Sequence, residues 1–285
     1  MTPPHMRSPD GPPDGPPGLY AVSDLHVGYP ENRALMESIW PTTPGDWLIV
    51  AGDVADTVAD VVGALTLLRE RYARVIWAPG NHELWTVARD PVRSTGVARY
   101  EHLVHRCQEI GVDTPEDPFP LWSHSGVPTR VAPMLLLYDY SFAAAPGRWR
   151  EAVSGALDTG VVCTDEFVLK PDPYPDIVEW CRARVAQTAV RLAELGGEPT
   201  VLVNHFPMLR EHIAILRHAQ LALWCGTAET EDWHRRFNAR AVVYGHLHIP
   251  RQTRHDGVAF HEVSLGYPKE RDHDRGGGFA PCRIL

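Results

Sequence analysis

Acidic, amide and imidazole side chains recur directly after short apolar segments of this 285-residue chain. In chain order they are Asp24, His26, Asp53, Asn81, His82, His205, His246 and His248. Carboxylate, amide and imidazole groups offer oxygen and nitrogen donors that suit divalent manganese, iron or zinc. Each motif alone is also compatible with a local structural role. Five of them in order at predicted strand ends favour a metal centre.

Two of these motifs are paired, Asp24-x-His26 and His246-x-His248. Alternate side chains of an extended segment point to the same face, so we expect each pair to reach toward one centre. Asp53 follows Gly52 in a predicted tight turn, where its two carboxylate oxygens are available to bridge two ions.

The apolar segments that precede these residues predict strands alternating with helices. We expect strands over Leu19–Ser23, Trp47–Ala51, Val75–Ala78, Met134–Tyr138, Thr200–Val203, Ala241–Tyr244 and Val258–Ser264. We expect helices over Val58–Tyr72, Gly96–Ile110 and Asp176–Leu195. Such alternation indicates an α/β fold with a partly parallel sheet, in which ligands bind at the carboxyl ends of strands. The polar motifs lie where such a site would form.

A single domain is expected over residues 19–285, because no later change in composition marks a boundary. Residues 1–18 contain seven of the 26 prolines and almost no apolar side chains, which predicts a disordered leader. The segments 111–132 and 143–175 are rich in proline, glycine and acidic residues. They predict long surface loops or a cap beside the site. We place the loop or cap segment of the domain around 143–175.

The overall composition excludes several classes of protein. A net charge of −9 argues against a general binder of nucleic-acid polymers, which needs a basic surface. Apolar runs such as Val131–Tyr138 are too short to span a membrane, and the first residues lack the apolar core of a signal peptide. The five scattered cysteines form no Cys-x-x-Cys pair. We therefore expect a cytoplasmic protein without a thiolate zinc site.

From Leu19 to about Tyr267, the series of motifs resembles the calcineurin-like metallophosphoesterase family. The resemblance implies an α/β sandwich of two mixed β-sheets flanked by α-helices in four αββα layers. It implies two divalent ions, manganese or iron, with zinc as the alternative. One ion would be held by Asp24, His26, Asp53 and His248, and the other by Asp53, Asn81, His205 and His246. Asp53 would bridge them.

The resemblance also implies a phosphoester hydrolase in which Asp53 and His82 are catalytic. Two ions stabilise an in-line displacement at phosphorus, and His82 would face the substrate and protonate the leaving alkoxide. Many family members carry Asp where this chain has Glu83, and we expect Glu83 to support His82 through its longer arm. Asp56 would orient a site residue or, the interpretation we favour, cap the following helix.

A second resemblance bears on the substrate. Several segments are similar to the actinobacterial phosphopantetheinyl hydrolases: Pro44–Asp53, Gly80–Trp85, Leu137–Phe142, Leu223–Thr227, Val243–Arg251 and Val263–Pro268. This similarity implies hydrolysis of the phosphodiester between 4′-phosphopantetheine and a serine of a holo-acyl or peptidyl carrier protein. The alternatives are a general phosphodiesterase or phosphomonoesterase acting on nucleotides or other small phosphoesters, and a non-catalytic interaction module, which retention of all eight motif positions disfavours.

A pantetheine arm needs a narrow and mostly apolar groove. The aromatic candidates for its lining, each equally compatible with a core position, are Tyr138, Tyr140, Phe142, Trp224 and Tyr267. An acidic carrier protein would also need a local basic patch. The candidates, each equally compatible with solvated surface, are Arg210, Arg217, Arg251 and Arg254. We select Tyr140, Trp224, Arg251 and Tyr267 as predicted substrate contacts.

Overall fold

Two mixed β-sheets form the centre of the fold in a computed structural model that describes residues 15–271 and 279–285. The strands are β1 (Leu19–Val22), β2 (Trp47–Val50), β3 (Arg74–Trp77), β4 (Leu121–Trp122), β5 (Thr129–Pro133), β6 (Thr200–Val203), β7 (Ala239–Tyr244), β8 (Arg251–His255), β9 (Val258–Glu262) and β10 (Cys282–Arg283). The first sheet has the order β10-β1-β2-β3, and the second has the order β4-β5-β6-β7-β9-β8. The inner strands of both sheets run parallel, whereas β10, β4 and β8 pair antiparallel at the edges.

Helices cover the outer faces of the sheets. The α-helices are α1 (Pro30–Glu37), α2 (Val58–Arg71), α3 (Asn81–Leu84), α4 (Gly96–Glu109), α5 (Trp149–Asp158), α6 (Asp165–Val168), α7 (Ile177–Ala193) and α8 (Trp233–Arg236). Short 3₁₀ turns span Arg210–Ile215, Ala219–Trp224, Ala228–Thr230 and Pro268–Glu270. Within the described ranges, no helix combines the length and apolar character needed to cross a bilayer.

The alternation of side chains along each strand divides the core into layers. Ile49 of β2 and Val243 of β7 belong to the core between the two sheets. Val50, the next residue along β2, belongs instead to the outer core that includes Leu65 of α2. Because successive strand side chains point to opposite faces, each sheet buries both faces, one against the other sheet and one against helices. The result is the predicted four-layer αββα sandwich.

The predicted strand Met134–Tyr138 is wrong. The strand lies five residues earlier, at Thr129–Pro133, where Val131 pairs with Val201 of β6. Leu137 has a φ of 62°, a left-handed conformation that a strand residue cannot adopt. The prediction of a long surface loop over 111–132 is also wrong in part, because this segment contains β4 and most of β5. An apolar run alone did not locate the strand within it.

The segment 143–175 contains α5 and α6 and folds back against the loop that follows α3. The Thr86 N–H donates to the Val168 carbonyl at 3.0 Å, and Trp85 forms an antiparallel bridge with Leu169. The predicted leader falls largely on residues 1–14, which lie outside the described residues. Within the described part, Gly18 is buried and its N–H donates to Asp46 Oδ1 at 2.8 Å.

Candidate metal centre

The carboxyl ends of β1, β2, β3, β6 and β7 meet at one edge of the sandwich, and each polar motif occupies the loop that follows its strand. The loops are joined by backbone hydrogen bonds. The Asp24 N–H donates to the Gly52 carbonyl at 2.9 Å, which links the loops after β1 and β2. The Ser23 N–H donates to the Val263 carbonyl at 3.0 Å, which joins the first sheet to the second. Both sheets therefore contribute to one site.

Side chains from these loops converge in pairs with short distances between potential ligand atoms. His248 Nε2 lies 2.9 Å from Asp24 Oδ1 and 3.3 Å from His26 Nε2. His205 Nε2 lies 3.4 Å from Asp53 Oδ2 and 3.3 Å from His246 Nδ1. Three overlapping triads each keep their ligand atoms within 4.8 Å of one another: Asp24, His26 and His248; His26, Asp53 and His82; and Asp24, Asp53 and His205. Asp53 belongs to two of them.

Left-handed backbone at five predicted ligands produces this convergence. The φ angles are 54° at Asp24, 42° at His26, 54° at Asp53, 70° at His246 and 55° at His248. The expectation that the paired motifs are extended is therefore wrong, because each pair lies in a tight turn beyond its strand. Non-glycine residues rarely adopt positive φ, and they concentrate at functional sites where the surrounding structure enforces the strain.

Two glycines allow the loops to approach this closely. A Cβ atom on Gly80 would lie 2.1 Å from Asp53 Oδ1, and one on Gly245 would lie 2.0 Å from Ser23 Oγ. Any other residue would displace Asp53 or Ser23. The Gly-Asn-His and Gly-His-x-His motifs thus need glycine for close packing around the carboxylates.

The pKa shifts of Asp24, Asp53 and His26 suit metal binding. Burial alone would raise the pKa of Asp53, but His205 and His82 hold it well below its usual range. Burial likewise opposes ionisation of Asp24, and His248 and His205 lower its pKa. Burial, together with neighbouring His82, lowers the pKa of His26 to about 4. Ionised carboxylates and neutral imidazoles are the forms that bind metal ions. Burial would lower the pKa of His205 and of His248, but Asp53 beside His205 and Asp24 beside His248 raise both to about 10, so a metal ion must displace a proton from these two rings.

Two of the proposed ligand histidines, His205 and His248, use Nδ1 for a hydrogen bond, so that Nε2 faces the other ligand side chains. His248 Nδ1 donates to Glu270 Oε2 at 2.6 Å, and His205 Nδ1 donates to the Ala51 carbonyl at 2.9 Å. Metal-binding histidines usually carry such a partner, which fixes the tautomer and the ring orientation. The Nε2 atoms of both rings are thereby available as ligands.

Asn81 offers an independent test of whether a cation fits. Its Oδ1 atom is buried and has no hydrogen-bond partner among the described residues, whereas its Nδ2 donates to Asp165 Oδ1 at 2.9 Å. A buried acceptor without a partner is costly in free energy and is uncommon in native proteins. A divalent cation beside Oδ1 would satisfy it, so the donors present fit a metal centre.

His82 also converges on Asp53, and its ring is held in place by Asp56 and Trp85. Its Nδ1 donates to Asp56 Oδ1 at 2.7 Å, its Nε2 lies 3.7 Å from Asp53 Oδ2, and its ring packs 3.5 Å from the centre of Trp85. Burial would lower the pKa of His82, but Asp53 and Asp56 outweigh that effect and raise it. His82 Nε2 thus presents a proton toward the site.

The favoured helix-cap role of Asp56 is wrong, and Glu83 does not make the expected contact with His82. Asp56 does not cap α2, because the N-cap is Thr57, whose side chain accepts the Asp60 N–H; Asp56 binds His82 and Arg89 instead. The carboxylate of Glu83 does not contact His82. It accepts the backbone N–H groups of Asp53 at 3.0 Å, Val54 at 2.9 Å and Gly80 at 2.9 Å. Glu83 therefore fixes the turn that carries Asp53.

A cavity of about 500 Å³ opens above the cluster. Its floor includes Asp53, Asn81, His82, His246 and His248, and its walls include Val162, Leu216, Leu221, Trp224, Leu247, Ile249 and Tyr267. Two of the four predicted substrate contacts, Trp224 and Tyr267, line this cavity. Tyr140 is buried behind it, with its hydroxyl donating to Glu166 at 2.9 Å. Arg251 lines a separate cavity and donates to the His212 carbonyl at 2.7 Å.

Several residues around the site were not foreseen from the sequence. Asp165 binds Asn81, Glu270 binds His248, and Ser264 Oγ donates to Asp24 Oδ2 at 2.7 Å. Ser264 follows β9 as the other motifs follow their strands, so its position after a strand could have indicated a site residue. Asp165 lies in the cap segment, where no periodicity or spacing distinguished it from neighbouring acidic residues.

Comparison with known proteins identifies relatives of this arrangement. A family model described as calcineurin-like phosphoesterase matches residues 19–250. The acyl-carrier-protein phosphodiesterase PptH of Mycobacterium tuberculosis is 54% identical over 256 residues, covering 89% of this chain and 79% of PptH. The crystal structure of phosphopantetheinyl hydrolase (PptH) from the same organism matches with a TM-score of 0.91 and 52% identity, covering 94% of this chain and 96% of that one. This match confirms the predicted fold.

Proposed function

This chain belongs to the calcineurin-like phosphoesterase family, and we propose that it hydrolyses the phosphodiester joining 4′-phosphopantetheine to a holo-carrier protein. It is a metal-dependent phosphoester hydrolase, in keeping with the dinuclear site that the family uses and with the ligand clusters described above. The observation that carries the substrate is the 54% identity to PptH across most of both chains.

The proposed ligands divide between two ions that share Asp53. One ion would be held by Asp24, His26, Asp53 and His248, and the other by Asp53, Asn81, His205 and His246. The triad of Asp24, His26 and His248 supports the first set, and the 3.3 Å approach of His205 to His246 and the unpaired Asn81 oxygen support the second. The mixed oxygen and nitrogen donors favour manganese or iron, with zinc as the alternative.

When bound, the ions supply Lewis acidity, which lowers the pKa of water and neutralises charge on the phosphate. The protein's own part in the reaction is to place a proton. Asp56 accepts from His82 Nδ1, so the proton on Nε2 points into the cavity toward the leaving serine oxygen. General acid catalysis of this kind contributes about 10²–10⁴-fold to the rate. Glu83 keeps the Asp53 turn in place throughout.

The cavity supports an elongated substrate with an apolar arm. Its volume of about 500 Å³ falls within the range typical of small-molecule sites. Leu216, Leu221 and Leu247 form much of the apolar wall, and Val162 and Ile249 reach the surface at its mouth. The phosphate would lie on the ligand cluster with the pantetheine arm along this wall.

Mass spectrometry of a holo-carrier protein incubated with the manganese-loaded enzyme tests the proposal. We expect conversion to the apo form, with release of 4′-phosphopantetheine. The chelated enzyme should leave the holo form intact, and the His82→Ala variant should convert it about 10²–10⁴-fold more slowly. Cyclic nucleotides and nitrophenyl phosphoesters, assayed in parallel, distinguish the alternative. Efficient turnover of those esters with no conversion of the carrier would assign a general phosphodiesterase instead.

A further inference from the structure

We infer that Asp165, contributed by the cap, is a positioning residue that orients the Asn81 amide toward the metal centre. The inference rests on the proposed function, because it takes Asn81 as a ligand. Asp165 would not touch metal or substrate. It would act by fixing which end of the Asn81 side chain faces the ions.

The hydrogen bonds of Asp165 select one of the two orientations of the amide. Asp165 is 1% exposed, and its Oδ1 accepts from Asn81 Nδ2 at 2.9 Å. The oxygen and nitrogen of an amide differ little in size, so their hydrogen-bond partners decide how the group is turned. A carboxylate beside Nδ2 excludes the flipped amide, because two acceptor oxygens would then face each other. Oδ1 is left as the buried acceptor with no partner among the described residues.

The same carboxylate oxygen also accepts from Trp85 Nε1 at 2.6 Å. The indole of Trp85 packs 3.5 Å from the centre of the His82 ring. Asp165 therefore contacts the proposed ligand Asn81 directly, and it contacts Trp85, which packs on the proposed general acid His82. Its location on α6, which is attached to the loop after α3 through Thr86 and Val168, joins the cap to the metal centre.

Metal binding by three variants tests this role. Asp165→Ala removes the acceptor, whereas Asp165→Asn retains an oxygen that both donors can use. Val153→Ala is the matched control, since Val153 is a buried cap residue on α5. Titration of metal-free protein with Mn²⁺, followed by electron paramagnetic resonance, reports affinity and the spin coupling of paired ions. We expect Asp165→Ala to bind one ion about 10–100-fold more weakly and to lose the coupled signal. The Asn and Val153 variants should resemble wild type.

Wild-type affinity and coupling in a folded Asp165→Ala variant would overturn the inference. Equal losses in the Ala and Asn variants would do so as well. If Asp165→Ala does not fold, exchanging the amide and the carboxylate between positions 81 and 165 provides the test. Asn81→Asp alone should lose the coupled signal, because two carboxylates then face each other. Adding Asp165→Asn should restore it, and failure to restore it would contradict the assignment. If wild type binds no coupled pair, the proposed function fails instead.

Discussion

The hydroxyl oxygen of Tyr267 lies 3.2 Å from Nε2 of His82, the ring nitrogen that faces the cavity. The Tyr267 ring also stacks on His26 with centroids 4.4 Å apart and meets His248 edge-on at 4.8 Å. Tyr267 therefore has two contacts with the site: its hydroxyl holds His82 Nε2 in position, and its ring packs on two proposed ligands.

Replacing Tyr267 with Phe should separate the role of its hydroxyl from that of its ring. The ring would still pack on His26, but the hydrogen bond to His82 would be lost. One hydrogen bond is worth about 0.5–1.5 kcal/mol, so we expect kcat to fall about 2–10-fold with metal affinity unchanged. Steady-state kinetics and Mn²⁺ titration measure the two effects. Weaker metal binding with unchanged kcat would instead assign Tyr267 to ligand packing alone.

Replacing His82 with Ala should lower the rate while leaving both ions bound. We expect kcat to fall by about 10²–10⁴-fold with an alkoxide leaving group such as the carrier serine. A nitrophenolate leaving group needs little protonation, so its loss should be much smaller. The control is His105→Ala, which alters an exposed histidine on α4. Equal losses with both leaving groups would mean that His82 is not the general acid.

Replacing Glu270 with Ala should weaken metal binding through His248. Glu270 accepts from His248 Nδ1, and removing it frees the ring to turn or to change tautomer. Partners of this kind typically contribute about 10–100-fold to metal affinity. Competition with a chelator measures the change. Glu194→Ala, at the exposed C-cap of α7, should have no effect. A wild-type dissociation constant in Glu270→Ala would refute this role.

The protein should lose stability on acidification through His212, which lies away from the metal centre. Burial, together with His255, Arg251 and His234 around it, lowers its pKa to about 3. The unfolded state has a pKa near 6.5, so it binds more protons than the folded state below that pH. Stability should therefore fall from about pH 6.5 downward, by at most about 1.4 kcal/mol per pH unit.

Urea unfolding of metal-free protein between pH 7.5 and pH 5 measures this loss. The aromatic ring of Phe would keep the contacts of His212 with Tyr244 and Phe260, which lie 4.9 and 5.0 Å away. The His212→Phe variant should thus show a shallower pH dependence, although its stability at pH 7.5 falls because a hydrogen bond to Thr253 is lost. His105→Ala should keep the full slope. An unchanged slope in His212→Phe would show that other groups cause the acid sensitivity.

The architecture was predictable because its signals are local. Strands such as Thr200–Val203 are short apolar runs, and α7 ends before Gly196, which has a φ of 61°. The motifs mark strand ends, so the clustering of Asp53 with His205 followed from the parallel arrangement. The position of β5 could not be predicted in this way. The apolar run Met134–Tyr138 predicts a strand in the wrong place, because an apolar run contains no information on its pairing partner.

The finer geometry of the site depends on contacts between distant parts of the chain. Asp165 and Asn81 are 84 residues apart, and their hydrogen bond exists only because the cap folds back on α3. Glu83 contacts the backbone of Asp53 rather than His82 because α3 directs its side chain beneath the Asp53 turn. Sequence spacing carries neither relationship.

The hydrogen bond between Asp165 and Asn81 constrains how this enzyme can be re-engineered. Exchanging residues 143–175 for another protein's segment, with the aim of changing the substrate, would also remove the carboxylate that accepts the Asn81 amide and that we propose positions it. A chimera should keep an acceptor at position 165 and an indole at position 85. Any chimera of the cap should therefore be assayed for metal retention as well as for substrate preference.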